Sequence, residues 1–354
     1  MNNSAFLLSI LPDHRVDAAL VTFLPDIRWA CGFTGSNGFV IVLPGKVHFL
    51  SDGRYKAQAR QEVHGAVVHT PGYELFEYAA QENLLGDARC ILYQADHVTV
   101  AQLEQWRALW PSVEWVPGRR LLTMAVASKT DEEVARIRRA QRITGAVFEH
   151  MLGVIRPGLS EQEVAAEIVY QHLLRGAQKM SFDPIVASGT RGALPHARAS
   201  AKRLEPGELV VLDFGCFLDG YASDMTRTVA LGEPGEEART VYGIVLEAQQ
   251  RAIKQARAGL STRALDGMAR SVIEAAGYGD YFTHSLGHGI GLQTHEWPRV
   301  SFHVDEVLPA GVAVTIEPGV YLPGRFGIRI EDIVVLRPDG CENLTASPKE
   351  LIIL

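Results

Sequence analysis

Four carboxylates interrupt stretches that would otherwise read as wholly apolar β-strands: Asp213 in ELVVLDFG, Asp224 in YASDMTRTVAL, Glu317 in VAVTIEPGVYL and Glu331 in GIRIEDIVVL. A lone charge in an apolar interior is costly, so any sheet built from these segments must bring something cationic to them. Arginine partners are one solution, and Arg227 and Arg329 lie nearby in sequence. Metal is the other. Four carboxylates and one imidazole make a hard, oxygen-rich site for two divalent ions, with two carboxylates bridging. Any one of these acids alone reads as a salt-bridged or strand-end group. All four, taken with His288, read as a metal centre.

The imidazole comes from HSLGHGIGLQTHEWP, residues 284–298, which holds His284, His288 and His295. HEWPR is not the HExxH zinc motif, because no second histidine falls four residues on and Pro298 spoils the required helix. His284 and His288 have i,i+4 spacing, but Gly287, Gly289 and Gly291 disfavour a helix there. GHGIG also lacks the lysine of a phosphate-binding loop. Between Asp213 and Asp224, FLDGY carries the Asp-Gly pair of a hairpin turn.

The chain of 354 residues is long enough for two domains. Its first 120 or so residues alternate strand-like runs (VDAALVTF, GFVIVLP, VHFLSD, AVVHT, CILYQA) with the helical stretches GRYKAQARQEV and VAQLEQWRALW, which reads as an α/β domain of about five strands. A boundary follows near Met124, giving domains 1–124 and 125–354. Thr130 and Glu133 form a capping box, and Val134, Ile137, Ala140, Ile143, Val147, Met151 and Val154 form the stripe of a long amphipathic helix. Beyond it, Arg-x-Gly-Leu-Ser occurs twice, from Arg156 and from Arg257. Each copy precedes a helix that Ser160 or Ser261 would cap and Gly176 or Gly277 would end. Two halves built alike suggest a pseudo-symmetric sheet with helices on one face.

A hydrophobic content of 47% and a charged content of 21% are those of a soluble globular protein. The net charge of −7 argues against a general nucleic-acid surface and gives no attraction to anionic membranes. MNNSAFLLSILPDHR lacks the basic start of a signal peptide, and no apolar run approaches the roughly 20 residues of a membrane span. Cys31, Cys90, Cys216 and Cys341 are scattered without a CxxC pair, the pattern of reduced thiols in a cytoplasmic protein.

Together, VLDFGCFLDGYASDMTRT, HSLGHGIGLQTHEWP, TIEPGVY and GIRIED resemble, in order, the motifs of the pita-bread metallopeptidases: methionine aminopeptidase, aminopeptidase P and prolidase. IRWACGFTGSNG and SDGRYKAQA resemble the N-terminal domain of the creatinase, prolidase and aminopeptidase P branch, which methionine aminopeptidases lack. The resemblance implies an α/β (α+β) architecture, with a creatinase/prolidase-like N-terminal α/β domain and a pseudo-symmetric pita-bread catalytic domain. Carried over residue by residue, it makes Asp213, Asp224, His288, Glu317 and Glu331 the ligands of two divalent metal ions per chain, manganese first, with zinc or cobalt as alternatives. Asp224 and Glu331 would bridge the ions, Asp213 would chelate one, and His288 and Glu317 would hold the other.

The same resemblance implies an Xaa-Pro dipeptidase (prolidase), in which a hydroxide shared by the metals attacks the carbonyl before proline and Glu317 moves the proton to the leaving nitrogen. His295 and His196 would meet the developing oxyanion, and His284 would support the ligands. Phe182 is a candidate wall for the proline ring. Arg299 and Arg198 are candidates for the substrate carboxylate, as is Arg329, although its place two residues before Glu331 also suits support of the metal carboxylates. The alternative is an Xaa-Pro aminopeptidase (aminopeptidase P) acting on longer peptides. More remote are a metal-free hydrolase like creatinase and a non-catalytic peptide-binding module. The implied partners are small proline-containing peptides and a second copy of the chain, whose counterpart of GFTGSNG (residues 32–38) would close the site.

Overall fold

The computed structural model describes residues 3–72 and 74–354. Two compact units divide the chain, Met1–Val126 and Ala127–Leu354. The first is built on six strands: β1 (Ala18–Val21), β2 (Phe39–Leu43), β3 (Lys46–Leu50), β4 (Val67–His69), β5 (Cys90–Gln94) and β6 (Glu114–Gly118). They lie in the order β4-β3-β2-β1-β5-β6. The helices are α1 (Ser4–His14), α2 (Leu24–Cys31), α3 (Lys56–Glu62), α4 (Leu75–Gln81) and α5 (Val100–Leu109), and the short α6 (Thr123–Ala127) follows them. Leu20, Ile41, Ile91, Trp106 and Trp115 are among the residues of the core.

The sequence reading missed β6, whose EWVPG contains Pro117. Proline has no N–H for a ladder, but β6 is an edge strand, where that donor is dispensable. Helices α1, α2 and α4 also escaped the reading. Helix α5 begins on a capping box, Thr99 with Gln102.

In the second unit, α7 (Asp131–Leu152) starts on the Thr130–Glu133 capping box, with both reciprocal bonds present. Val134, Ile137, Ala140, Val147 and Met151 are buried on its inner face, while Val154 lies past the helix end. The Arg-x-Gly-Leu-Ser echo is structural. Ser160 caps α8 (Glu161–Leu174) and Ser261 caps α10 (Thr262–Ala275). Gly158 and Gly259 adopt φ of +92° and +84°, a left-handed turn that explains glycine in both copies. Helix α9 (Glu236–Gln255) precedes α10 as α7 precedes α8.

Each helix pair covers its own sheet. Helices α7 and α8 bury Phe148, Met151, Val164 and Ile168 against β8 (Ile185–Ser188), β9 (Leu209–Phe214) and β12 (Met225–Ala230), which pair in the order β12-β9-β8. Beside them, β7 (Lys179–Met180), β10 (Cys216–Leu218) and β11 (Tyr221–Ala222) form a small sheet. Its hairpin turns at Asp219 and Gly220, both at positive φ. Helices α9 and α10 bury Val241, Val245, Leu265 and Ile273 against the second sheet. That sheet runs β14-β13-β15-β18-β19 and comprises β13 (Gly287–Gly289), β14 (Glu296–Val300), β15 (Ala313–Ile316), β18 (Asp332–Arg337) and β19 (Gly340–Asn343). The ribbon of β16 (Gly319–Leu322) and β17 (Phe326–Arg329) extends from it. Among the described residues the four cysteines are free, and no helix is long and apolar enough to cross a membrane.

One pair in the first unit makes stability depend on pH. His48 on β3 is 3% exposed, and its Nδ1 lies 2.8 Å from Nε2 of His69 on β4. Burial, then the charge of Lys46, pushes His48 from 6.5 down to about 4. A depressed folded pKa gives stability that is whole above pH 6.5 and is lost as pH falls toward 4, because only the unfolded chain takes up the proton freely. His48→Gln should flatten the pH dependence of the urea midpoint in that window. An unchanged slope would rule out His48 as a source of acid sensitivity.

Candidate active site

The four acids sit where two antiparallel ribbons change partners. Strands β9 and β12 pair with Asp213 opposite Thr226, and the chain then crosses over into the β10–β11 hairpin. At that crossing the backbones are so close that a Cβ on Gly215 would stand 1.9 Å from the Ser223 carbonyl oxygen. In the second half, β15 pairs with β18 and β16 with β17, so Glu317 and Glu331 occupy the two facing breaks. Only Asp213 therefore lies inside a strand. Asp224, Glu317 and Glu331 stand at strand breaks, where the sequence reading had placed them within strands. The ribbons meet directly, Glu331 N donating to the Thr226 carbonyl at 3.1 Å.

His288 comes from β13. The two glycines around it have ordinary φ; the reason for them is space rather than a tight turn. A Cβ on Gly287 would stand 2.0 Å from the Thr315 carbonyl oxygen, and one on Gly289 would stand 2.2 Å from that of Trp297. His288 Nδ1 faces the Gly289 carbonyl at 3.0 Å. A carbonyl only accepts, so Nδ1 carries the proton and Nε2 keeps its lone pair. That atom is 3.5 Å from Glu317 Oε1 and 3.7 Å from Asp224 Oδ2. One hydroxyl links two of the candidates: Thr315 Oγ1 accepts from His288 N at 3.0 Å and donates to Glu317 Oε1 at 3.1 Å.

The charges here do not balance. Among the described residues Arg329 is the guanidinium paired with one of these acids, its Nη2 donating to Asp213 Oδ2 at 2.5 Å. Arg227, the other arginine considered from sequence, is committed to Asp332 at 2.9 Å and to the Glu331 backbone carbonyl at 2.7 Å. Burial, and then the charges of Glu331, Asp213 and Glu317, raise Asp224 well above the ordinary carboxylate range. Glu331 is raised for the same reasons, burial first. Burial lifts Glu317 to about 7 and holds His288 down at about 4. Asp213 Oδ1 and Asp224 Oδ1 are buried and have no hydrogen-bond partner among the described residues. Donor atoms of Asp224, His288 and Glu331 all lie within 4.8 Å of one another. Crowded carboxylates, orphaned oxygens and a neutral imidazole with a free Nε2 are the chemistry of a site that fits divalent cations.

Above the acids opens a cavity of about 780 Å³ in the second unit, and every candidate site residue named from the sequence lines it. His196 and Arg198 contribute from the segment after β8, both exposed. His295 and Arg299 are exposed on the other wall, Arg299 Nε donating to Ser285 Oγ at 2.8 Å. The His295 ring centroid is 4.3 Å from that of His288. Phe182, partly buried, adds an apolar wall with Pro184 and Ile185.

Arg329, also a candidate for the substrate carboxylate, lines the cavity. It is 3% exposed, and besides Asp213 it donates to Thr226 Oγ1, to the Tyr321 hydroxyl and to the Pro195 carbonyl. Tyr321 in turn donates to His284 Nε2 at 2.9 Å, since His284 Nδ1 is spent on the Ser285 carbonyl. Arg329 thus braces Asp213 from the cavity wall, and Tyr321 braces His284.

The sequence reading missed Thr226, Thr315, Tyr321 and Glu296. Thr226 donates to Glu331 Oε2 at 2.6 Å. A signal for both threonines existed, since each stands two residues from an acid, on the same side of an extended chain. Glu296, the acid of HEWPR, lines the cavity and forms a buried ion pair with Lys129.

Comparison with known proteins agrees with this geometry. Residues 135–338 match the model of metallopeptidase family M24, and residues 5–125 match that of the creatinase/prolidase N-terminal domain. A protein named Xaa-Pro dipeptidase from Pyrococcus furiosus is 48% identical over 63% of this chain and 64% of its own. The solved Xaa-Pro dipeptidase from Bacillus anthracis superposes with a TM-score of 0.95 at 40% identity, covering 99% of this chain and 100% of that one. The X-Pro aminopeptidase from Thermotoga maritima gives a TM-score of 0.92 at 36% identity, with 100% of both chains covered. With a creatinase-type N-terminal domain and the pita-bread catalytic fold, the chain belongs to metallopeptidase family M24 and is a hydrolase that uses divalent metal.

Proposed function

We propose that the chain is an Xaa-Pro dipeptidase holding two divalent ions, manganese ahead of zinc or cobalt, on Asp213, Asp224, His288, Glu317 and Glu331. Asp224 and Glu331 would be shared by both ions. The observation that carries this reading is the convergence of four carboxylates and one neutral imidazole on a cavity floor that has one guanidinium to offset them. Divalent ions held there would supply Lewis-acid chemistry, making water more acidic and the carbonyl before proline more electrophilic.

The chain's own groups do the rest. Glu317 carries the proton toward the imide nitrogen of the leaving proline. His295 and His196 donate to the oxygen on which negative charge develops. Phe182, with Pro184 and Ile185, packs against the proline ring. Arg299, steadied by Ser285, and Arg198 meet the free carboxylate of a dipeptide. Arg329 and Tyr321 keep Asp213 and His284 in place. The substrates are small proline-containing peptides. The enzyme works in the cytoplasm as a homodimer, with its catalytic domain beginning at residue 125; scattered free thiols support that compartment.

A second reading, an aminopeptidase acting on longer Xaa-Pro peptides, is favoured by the full-length likeness to the Thermotoga maritima protein. Hydrolysis of Ala-Pro and Ala-Pro-Ala decides between them, and equal efficiency on the tripeptide would overturn the dipeptidase reading. Arg299→Ala should raise KM for Ala-Pro about 10- to 100-fold, the worth of a charge-assisted hydrogen bond. It should leave Ala-Pro amide, which has no free carboxylate, nearly unaffected; an equal loss on both would remove Arg299 from carboxylate binding. Asp224→Asn should lower both bound metal and kcat, the latter by at least roughly 10²–10³-fold. Full turnover at full metal content would refute the ligand assignment.

A further inference from the structure

His196 and Arg198 hang on a segment, 189–200, whose one regular piece is the 3-10 turn Gly189–Ala193. Something must hold this segment still for its side chains to act. Glu161, the first residue of α8, lies at 0% exposure and does not line the cavity. Its Oε1 accepts from Ser188 N at 2.8 Å and from Ser188 Oγ at 3.0 Å. Its Oε2 accepts from Ser200 N at 3.0 Å, Ser200 Oγ at 2.7 Å and Arg191 Nε at 2.9 Å. One carboxylate thus ties both ends of the segment and a point between them. Arg191 passes the tie on, its Nη2 donating to the Arg198 carbonyl at 2.6 Å. The far side is held by Arg329, which donates to the Pro195 carbonyl at 3.1 Å. Gly192 and Gly327 also meet there, so closely that a Cβ on Gly327 would stand 1.9 Å from the Gly192 carbonyl oxygen.

We propose that Glu161 is a positioning residue for the peptidase reaction, fixing His196 and Arg198 on the cavity wall by fastening the segment that carries them. The proposal rests on the substrate-side role given to His196 above. A carboxylate suits the place because it only accepts, and five donor contacts converge on it. A glutamine would offer one oxygen and turn an NH2 group toward donors.

The test compares Glu161→Gln in the metal-loaded enzyme with the same change in a His196→Ala background. It reads kcat and KM on Ala-Pro, bound metal, and amide hydrogen exchange. Glu161→Gln should lower kcat/KM on the order of 10- to 100-fold at unchanged metal content, with faster exchange at 188–200. In the His196→Ala background it should cost under about 2-fold, since the group it positions is gone. The same fold-loss in both backgrounds, or unchanged exchange, overturns the positioning role while leaving His196 its own. Undiminished turnover in His196→Ala instead removes the role of His196, and with it what Glu161 is said to position. Should Glu161→Gln fail to fold, Arg191→Lys on the more exposed side of the tie replaces it. A loss that His196→Ala absorbs is then expected, and an additive loss overturns the proposal.

Discussion

The mutual repulsion of buried carboxylates is the constraint from which the rest of the catalytic unit follows. Asp213, Asp224, Glu317 and Glu331 occupy one cavity floor, and Arg329 offsets only part of their charge. Such a cluster persists only on a backbone that cannot relax away from it. Strand pairing supplies that rigidity up to each acid, and the ribbons split just where the acids must turn inward. Glycines at 215, 287 and 289 let backbones approach where any side chain would collide. Thr226 and Thr315 then orient individual oxygens, a task that needs a hydroxyl able to accept on one side and donate on the other. Strain of this kind, held in place by surrounding structure, is what a metal-binding hydrolase needs before its ions arrive.

The two halves of this unit solve the same problem with related parts. In each, a capped helix that follows Arg-x-Gly-Leu-Ser carries a fully buried carboxylate, Glu161 on α8 and Asp266 on α10. Glu161 pairs with Arg191 and holds the segment bearing His196. Asp266 pairs with Arg270 and accepts from Leu286 N, while Arg270 holds the carbonyls of Phe282 and His284. Both anchors act at a distance from the cavity floor and both reach the loop leading to a histidine. The resemblance between halves therefore extends from capping chemistry to the way each half presents its imidazoles.

Legibility from sequence tracked how local the determining interaction was. The Thr130–Glu133 capping box, the Ser160 and Ser261 caps and the Asp-Gly turn depend on residues a few positions apart, and the structure has them where the pattern put them, as it has the α7 stripe up to Met151. Strand β6 was missed because its proline argues against a strand unless the edge position is known, and edge position is a property of the whole sheet. The glycines beside His288 read from sequence only as an argument against a helix, since sequence does not show where one backbone must come close to another. Arg329 was ambiguous for a similar reason: its partners Asp213, Pro195 and Tyr321 are scattered along the chain.

By itself, the sequence determined that four acids and a histidine must share a compensating cation, because isolated charges do not survive in apolar strands. It also determined the starts of α7, α8 and α10 and the doubling of the catalytic unit, which rest on short-range capping and on left-handed glycines. Only the tertiary structure decided which groups are open to the cavity and which are committed to other side chains. That distinction separates Arg299, open to the cavity, from Arg329, buried with its donors taken. It likewise turns Glu161 from one acid in a helical first turn into the anchor of a distant segment. Long-range hydrogen bonds make these assignments, and they exist only once the strands have been brought into register.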